Sequence, residues 1–240
     1  DVPVLYVPWF VFPVDDRRRT GLLYPSIGTS SRSGFDWQQP IYLNLAPNYD
    51  ATIEPRWMSK RGAMLSGEFR YLGHTGAATV EGAYLPDDDL VDRERAEEIA
   101  QGVPPENRRK DDRAQFSFAG YRNLGPQWRA SANLNWISDP YYVEDFSSSL
   151  DNLSPVYLAS TVALNGFGRD WSAGVDATYY LLSDYTLDDR SLPHHALPRA
   201  WYRWENSFRP WLVAGLDAEA VQFEHSEQPG GVRVDLKPWV

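Results

Sequence analysis

The chain has 240 residues, enough for one large domain or two small ones, and a formal net charge of −10. That charge argues against a general nucleic-acid binder, which would carry a basic face. The lack of cysteine excludes a disulfide scaffold and any cysteine-based metal site. Aromatic residues make up 14% of the chain, as is usual for carbohydrate-binding sandwiches and for outer-membrane barrels with aromatic girdles.

The first fourteen residues differ in composition from the rest. "DVPVLYVPWFVFPV" is apolar on both faces of an extended chain and is interrupted by three prolines. It lacks the basic start and the small-residue cleavage site of a signal peptide, so we expect an exported protein of this sequence to be a mature form or a fragment. We predict that residues 1–14 are the last strand of a preceding β-domain and that the charged run 15–21 is a linker.

Two prolines stand out in the next stretch, "LLYPSIGTSSRSGFDWQQPIYLNL", which runs from Leu22 to Leu45. The pattern predicts two strands joined by a polar turn. Each strand has a proline in its body, Pro25 in the first and Pro40 in the second. Proline has no N–H to donate to a sheet ladder and is normally confined to edge strands and bulges.

Alternation of apolar and polar residues dominates the rest of the chain and is clearest in "WRASANLNWI". Such segments run for about 9–13 residues, against about 5–6 in typical globular proteins, and a membrane-spanning strand needs about 9–11. Trp128 and Trp136 lie on one face, about 26 Å apart along a strand. With a tilt of about 40° they span roughly 20 Å, close to the separation of two aromatic girdles. Trp171 and Tyr179 have the same spacing, so these four residues are a predicted membrane girdle.

We count about twelve strands from Leu22 onward, joined by connectors that alternate between short turns and longer loops. The long loops are 86–112, 138–155, 183–196 and 225–231. This alternation is typical of bacterial outer-membrane barrels, and a piece of one should form an open, curved antiparallel sheet. No run of 18 apolar residues predicts a transmembrane helix. "DRERAEEIAQG", in the first long loop, predicts one or two helical turns within a charged and exposed segment.

Several longer segments carry a resemblance to a known family. They are "PWFVFPVDDRRRTG", "LYPSIGTSSRSGF", "PIYLNLAPNYDATIEPRWMSKRG", "GEFRYL", "YLPDD" and "WISDPYYVEDF". Together they resemble the LptD family, also called OstA or Imp, of lipopolysaccharide-assembly proteins of the bacterial outer membrane. The resemblance implies a periplasmic jellyroll followed by a very large barrel, of which residues 22–240 would be the amino-terminal part. It also implies that the family's disulfide cysteines lie outside this window.

The resemblance implies a function and a set of partners. A periplasmic bridge protein would deliver lipopolysaccharide to the jellyroll, and the lipid would enter the outer leaflet through a lateral opening between the first and last barrel strands. The lipoprotein LptE would sit inside the barrel as a plug, and outer-membrane lipids would surround it. No cofactor, nucleic-acid partner or enzymatic activity is implied.

Pro25 and Pro40 match the family's lateral gate, where prolines in the first two strands weaken pairing. A ladder bond that is missing in hydrocarbon cannot be replaced by water, so a seam short of bonds opens at lower cost. The alternative is that both are edge-strand prolines that only block aggregation.

The polar faces of the alternating strands are the second candidate site. They would form a hydrophilic lumen that receives the plug and the sugar–phosphate head of lipopolysaccharide, and the alternative is ordinary water-facing residues of a wide barrel. The candidates are Glu68, Arg70, Glu81, Arg129, Asn133, Asn135, Asp176, Asp217 and Glu219.

The amino-terminal segment supplies a third candidate site. Its apolar residues would line the exit of the acyl-chain path from the jellyroll, and plain core packing is the alternative. The candidates are Leu5, Tyr6, Trp9, Phe10 and Phe12.

Metal and catalytic motifs are weak in this sequence. His194 and His195 are adjacent, and adjacent residues of an extended segment point to opposite sides. The run Asp87–Asp89 lacks the spaced ligands and the glycine of a calcium loop. No G-x-S-x-G, P-loop or H-E-x-x-H motif occurs. The sequence therefore predicts no metal site and no catalytic centre.

Three other functions are alternatives to the lipopolysaccharide translocon. A generic porin or receptor barrel explains the alternation but gives no account of Pro25 and Pro40. An outer-membrane lipid-modifying enzyme needs a nucleophile and base that no spacing nominates. A soluble carbohydrate-binding sandwich has no reason to place aromatic residues at both ends of a row of small apolar ones.

Overall fold

The computed structural model describes residues 18–146 and 156–240, in which the chain forms fourteen β-strands and two α-helices. The strands are β1 Gly21–Leu22, β2 Ser26–Ser30, β3 Gly34–Gln38, β4 Ile41–Ala46, β5 Tyr49–Met58, β6 Gly62–Leu72, β7 Gly76–Leu85, β8 Arg113–Asn123, β9 Trp128–Ile137, β10 Tyr157–Phe167, β11 Trp171–Leu182, β12 His195–Arg209, β13 Leu212–Glu224 and β14 Gly231–Trp239. The helices are α1 Val91–Ala100 and α2 Tyr142–Phe146, with short 3₁₀ turns at Pro105–Asn107 and Asp189–Ser191.

All strands belong to one antiparallel sheet. Its main path runs β1, β4, β5 and then in chain order to β14, while β2 pairs with β3 and β3 also pairs with β5. Within the described residues β1 and β2 do not pair with β14, so the sheet is open. The expected all-β, open antiparallel fold is therefore confirmed. Fourteen strands appear where about twelve were counted because each of the two strands that contain Pro25 and Pro40 is split in two.

The long strands separate polar and apolar residues onto two faces. From β5 onward each strand has 9 to 15 residues. Successive side chains point to opposite faces, and residues paired across two strands share a face. The register is uninterrupted from β5 to β9 and therefore carries each face across these strands.

Short and long connectors lie at opposite ends of the strands. At one end, five turns of two to four residues join β4 to β5, β6 to β7, β8 to β9, β10 to β11, and β12 to β13. The other end carries the connectors of 27 residues between β7 and β8 and of 19 residues between β9 and β10. The expected alternation of short turns and long loops is thus present.

The buried core lies at the long-loop end rather than along the sheet. Its members are the strand-end residues Met58, Met64, Ala83, Leu85 and Ile137, together with Tyr142 of α2. α1 has ten residues, so it is longer than the one or two turns expected. The prediction that this loop is exposed is wrong for one side of it, because Val91 is fully buried and Glu98 is 3% exposed.

In the part of the chain that the structure describes, neither helix combines the length and the apolar character needed to cross a membrane.

Candidate functional site

The first strand is interrupted at Pro25. Leu22 pairs with Ile41, whereas the next paired residue, Ser26, faces Gln38. Three residues on the first strand therefore face only two on the second, which defines a β-bulge. Bulges break the ladder locally and bend the strand, so this one divides the first strand into β1 and β2.

Pro40 lies at the matching break in the second strand, between β3 and β4. The Leu23 N–H donates to the Pro40 carbonyl at 2.9 Å, so Leu23 and Pro40 face each other. In an antiparallel ladder such a pair normally exchanges two hydrogen bonds. Pro40 has no N–H and leaves the return bond unmade.

Pro55 in β5 is a third proline at the same height, and the sequence reading missed it. The Gln39 N–H donates to the Pro55 carbonyl at 3.0 Å, which places Pro55 directly beside the break in the second strand. Pro25, Pro40 and Pro55 recur at intervals of fifteen residues. That equal spacing was the sequence signal for Pro55, because residues so spaced in three hairpin-linked strands can lie side by side at the same level of the sheet.

The first strand is anchored at its start, below the break. The Asn44 N–H donates to Thr20 Oγ1 at 2.9 Å, and Asn44 Nδ2 donates to the Arg18 carbonyl at 2.9 Å. Arg18 also contacts the buried carboxylate of Asp50 at 3.2 Å. Contacts at this end therefore hold the chain that leads into β1.

A second anchor lies beyond β2, in the turn 31–33. Arg32 pairs with Glu144 of α2 at 2.5 Å, and Lys60 Nζ donates to the Ser31 carbonyl at 2.8 Å. The first hairpin is thus tied to the long-loop end of the molecule. Between the two anchors, the ladder is interrupted at the prolines.

All nine candidate polar residues lie on one face of the sheet. Glu68 faces Glu81, and Asp176 faces Arg199, which is on the same face as Asp217 and Glu219. The register through Ser117, Asn135, Thr161 and Thr178 joins the two groups. This placement agrees with the expected face, while the assignment of a lumen stays a prediction.

The polar face carries a ladder of cross-strand ion pairs near the β14 edge. Arg199 Nη2 lies 2.6 Å from Glu219 Oε2, and Arg203 Nε lies 2.6 Å from Asp217 Oδ1. Arg233 of β14 also pairs with Glu219. Arg203 lies directly opposite Asp217, whereas the other two pairs are diagonal, and opposite charges so placed stabilise strand pairing modestly.

The four predicted girdle residues lie on the opposite face. The exposed fractions of Trp128, Trp136 and Tyr179 are 38%, 51% and 49%. The rings of Trp128 and Trp171 have centroids 5.8 Å apart, across β10. Large exposed aromatic side chains at both ends of this face fit the predicted girdle, whose contact with lipid stays a prediction.

A buried cluster of charges at the long-loop end was not predicted. Arg61 and Arg113 are fully buried, and both contact Asp88, at 2.6 and 3.3 Å. Arg113 also lies 2.8 Å from Asp139 and 3.0 Å from Asp145. These contacts fasten three separate connectors to one another.

The balance of burial and charge differs between Asp139 and Asp145, two of the three carboxylates that contact Arg113. Burial opposes ionisation of Asp145, but Arg109, Arg61 and Arg113 outweigh it and hold its pKa below the ordinary value. Burial raises the pKa of Asp139, whose main cationic partner is Arg113 alone. Asp145 is therefore the more firmly ionised member of the cluster.

Among the described residues, no group of three or more His, Asp and Glu is arranged to hold a metal ion. The His194 ring contacts the His225 ring with centroids 4.9 Å apart, whereas the His195 ring stacks on Tyr179 at 4.3 Å. The carboxylate of Asp88 is paired with Arg61 and Arg113.

The five jellyroll-exit candidates, Leu5, Tyr6, Trp9, Phe10 and Phe12, lie outside the described residues. The predicted boundary at residue 14 lies there as well. The first described strand begins at Gly21, one residue before the expected start at Leu22.

The fold places this chain among all-β proteins built on one long-stranded antiparallel sheet with an apolar and a polar face. The family model described as "LptD: LPS transport system D" matches residues 111–240, more than half of the chain. The chain belongs to the LptD family.

Curated relatives extend this similarity to nearly the whole chain. The chain is 50% identical over 228 residues to "LPS-assembly protein LptD" of Xanthomonas oryzae pv. oryzae (strain MAFF 311018), covering 95% of the chain and 26% of the relative. It is 43% identical over 259 residues to the protein of the same name from Xylella fastidiosa (strain 9a5c), covering 99% of the chain and 30% of the relative. The chain therefore spans between a quarter and a third of the length of these relatives.

Proposed function

We propose that this chain is part of an outer-membrane lipopolysaccharide translocon, that residues 22–240 form the amino-terminal part of its barrel, and that the first two strands form one side of a lateral gate. Membership of the LptD family and the names of the relatives support the substrate class. The segregation of polar and apolar residues onto two faces supports a wall between lipid and a hydrated lumen.

The observation that carries the gate proposal is the break in the ladder at the free edge of the sheet. Pro25 lies in a bulge, and Pro40 and Pro55 remove donors from the two strands behind it. In hydrocarbon no water replaces a missing donor, so the first strand separates from a neighbour at lower cost there than along an intact ladder. The wall of a porin has to stay closed, so weakened pairing of one strand would be a defect there.

The two faces receive different roles in this proposal. The polar face, including Glu68, Arg129 and Asp217, would line the lumen that holds an LptE-type plug and admits the sugar–phosphate head. The apolar face, with Trp128 and Trp136 at its two ends, would contact outer-membrane lipid. A preceding jellyroll, with residues 1–14 as its last strand, would receive lipopolysaccharide from the periplasmic bridge protein, and residues 15–21 would link it to the barrel. The chain acts as a conduit and not as an enzyme.

Site-specific photocrosslinking tests the gate. A photoreactive residue at position 25, 27 or 40 of the full-length protein should crosslink to lipopolysaccharide during export. The same residue at position 162 in β10 is the control, because it lies on the apolar face far from the edge. Crosslinks at position 162 that equal those at the first strands would contradict a local gate.

Conductance measurements separate the proposal from the porin alternative. The full-length protein with its plug should pass little ion current in a planar bilayer. A large, freely conducting pore would instead favour a diffusion channel.

A further inference from the structure

The side chain of Gln39 replaces the backbone donor that Pro40 lacks. Leu23 gives its N–H to the Pro40 carbonyl, but Pro40 has no N–H to return to the Leu23 carbonyl. The Gln39 amide nitrogen Nε2 donates to that Leu23 carbonyl at 2.8 Å and to the Pro40 carbonyl at 3.0 Å. We infer that Gln39 is a latch that holds the first strand to the second across the proline break.

The position of Gln39 in the strand supports this inference independently. Alternate residues Phe35, Trp37, Ile41 and Leu43 are apolar and share a face with Gln39, which interrupts their row. This face is the apolar one, since Ile41 faces Ile53 and Trp37 faces Trp57. A polar group on such a face is costly unless it is hydrogen-bonded. The two carbonyl contacts satisfy both N–H groups of the Gln39 amide.

The chemistry also explains why glutamine suits this position. A primary amide has two N–H donors on one nitrogen, which matches the two carbonyls contacted. An ionised glutamate of the same length has none and would place a negative charge beside two carbonyl oxygens. The latch therefore depends on the amide nitrogen and not on side-chain size.

A consequence for the gate rests on the proposed function. The first strand can swing at the bulge of Tyr24 and Pro25 only after the Gln39 contact to Leu23 is released. This side-chain hydrogen bond then adds to the cost of opening, and a one-residue change can remove it without disturbing the anchors at Asp50 and Glu144.

Hydrogen exchange in the full-length protein tests the latch directly. In Gln39→Leu, amides of the first strand between residues 20 and 30 should exchange about threefold to tenfold faster, as expected for loss of one hydrogen bond. Gln38→Leu is the matched control, because Gln38 Nε2 donates to Glu54 at 2.6 Å on the other face. Equal exchange in Gln39→Leu and the parent protein would overturn the inference.

Rescue by the neighbouring residue distinguishes a latch from a merely structural glutamine. Pro40→Ala restores a backbone N–H opposite Leu23, so Gln39→Leu should have little effect on exchange in that background. An unchanged effect of Gln39→Leu in the two backgrounds would overturn the inference.

The gate is measured separately, as lipopolysaccharide export by the same variants. Faster exchange in Gln39→Leu, rescue by Pro40→Ala and unchanged export in both variants would retain the latch and reject the gate. Loss of the exchange effect would reject the latch whatever happens to export.

Discussion

Pro25 and Pro40 disrupt the sheet in different ways. Pro40 removes a donor that the ladder requires opposite Leu23, whereas Pro25 lies among the extra residues of a bulge. We therefore expect Pro40→Ala to strengthen the attachment of the first strand by about 1 kcal/mol, the usual net value of a backbone hydrogen bond, when Gln39 is replaced by leucine, and by less where Gln39 already donates to the Leu23 carbonyl. Export of lipopolysaccharide should fall in proportion to the lost opening.

Pro25→Ala is the comparison for that prediction. It restores an N–H at a position with no paired partner in the second strand, so its effect on export should be the smaller of the two. Surface lipopolysaccharide measured after induction of each variant gives the order. A larger effect from Pro25→Ala would mean that backbone stiffness at the bulge, rather than a missing donor, controls opening.

A proline within a strand does not by itself mark a gate. Pro198 lies in β12, where the register to β13 shifts between Ala196 and Arg199. That strand is paired on both sides, by β11 and β13, so a local fault is held by its neighbours. Within the described sheet the first strand pairs on one side only, with the second, and its ladder to that strand is the one interrupted at Pro25 and Pro40.

At the scale of elements, the long connectors form a small folded unit with its own buried charges. Arg113→Met should leave Asp88, Asp139 and Asp145 short of a buried partner and destabilise the unit by about 3–5 kcal/mol. Limited proteolysis should then cut the connector 86–112 faster.

The matched control for Arg113, the first residue of β8, is Arg95 in the connector that precedes it. Arg95 pairs with Asp111 at 2.6 Å, but both side chains are partly exposed. Arg95→Met should change stability by no more than about 1 kcal/mol, as is usual for exposed pairs. Equal proteolysis of the two variants would show that the buried contacts do not hold the connectors together.

The sequence predicted the strands well because their signal is local. In β9 every second residue is apolar, and this alone places Trp128 and Trp136 on one face. The same rule cannot reveal a one-residue bulge at Pro25, since a register change appears only when two strands are compared. Hydrogen bonding by Gln39 was equally invisible, because Leu23 is sixteen residues away.

The loop cluster was missed for a related reason. Its contacts join residues that are far apart in the chain, such as Arg61 with Asp88 and Arg109 with Asp145. From sequence alone, a segment rich in charged residues and proline is predicted to be exposed, because the residues that bury it cannot be identified. Only the fold, which brings the connectors to one end of the sheet, makes its burial visible.

Across the whole molecule, stability is unevenly distributed. The buried hydrophobic cluster and the buried charges lie at the long-loop end, and the turns at the other end are short. Between the ends the sheet is a single layer whose two faces are covered only by what surrounds it. Such a sheet needs an apolar environment on one face and a polar environment on the other, which are the surroundings of a barrel wall in a membrane.

A pair of arginine substitutions at neighbouring positions tests this demand. Ala132 lies on the apolar face midway between Trp128 and Trp136, and Asn133 lies on the polar face. Arginine on the lipid face of a barrel costs about 2–4 kcal/mol at the bilayer midplane, whereas luminal positions tolerate charge. Ala132→Arg in the full-length protein should therefore reduce the folded fraction in outer-membrane extracts, and Asn133→Arg should leave it close to the parent level. The reverse order would place lipid on the polar face and contradict the assignment of the two faces.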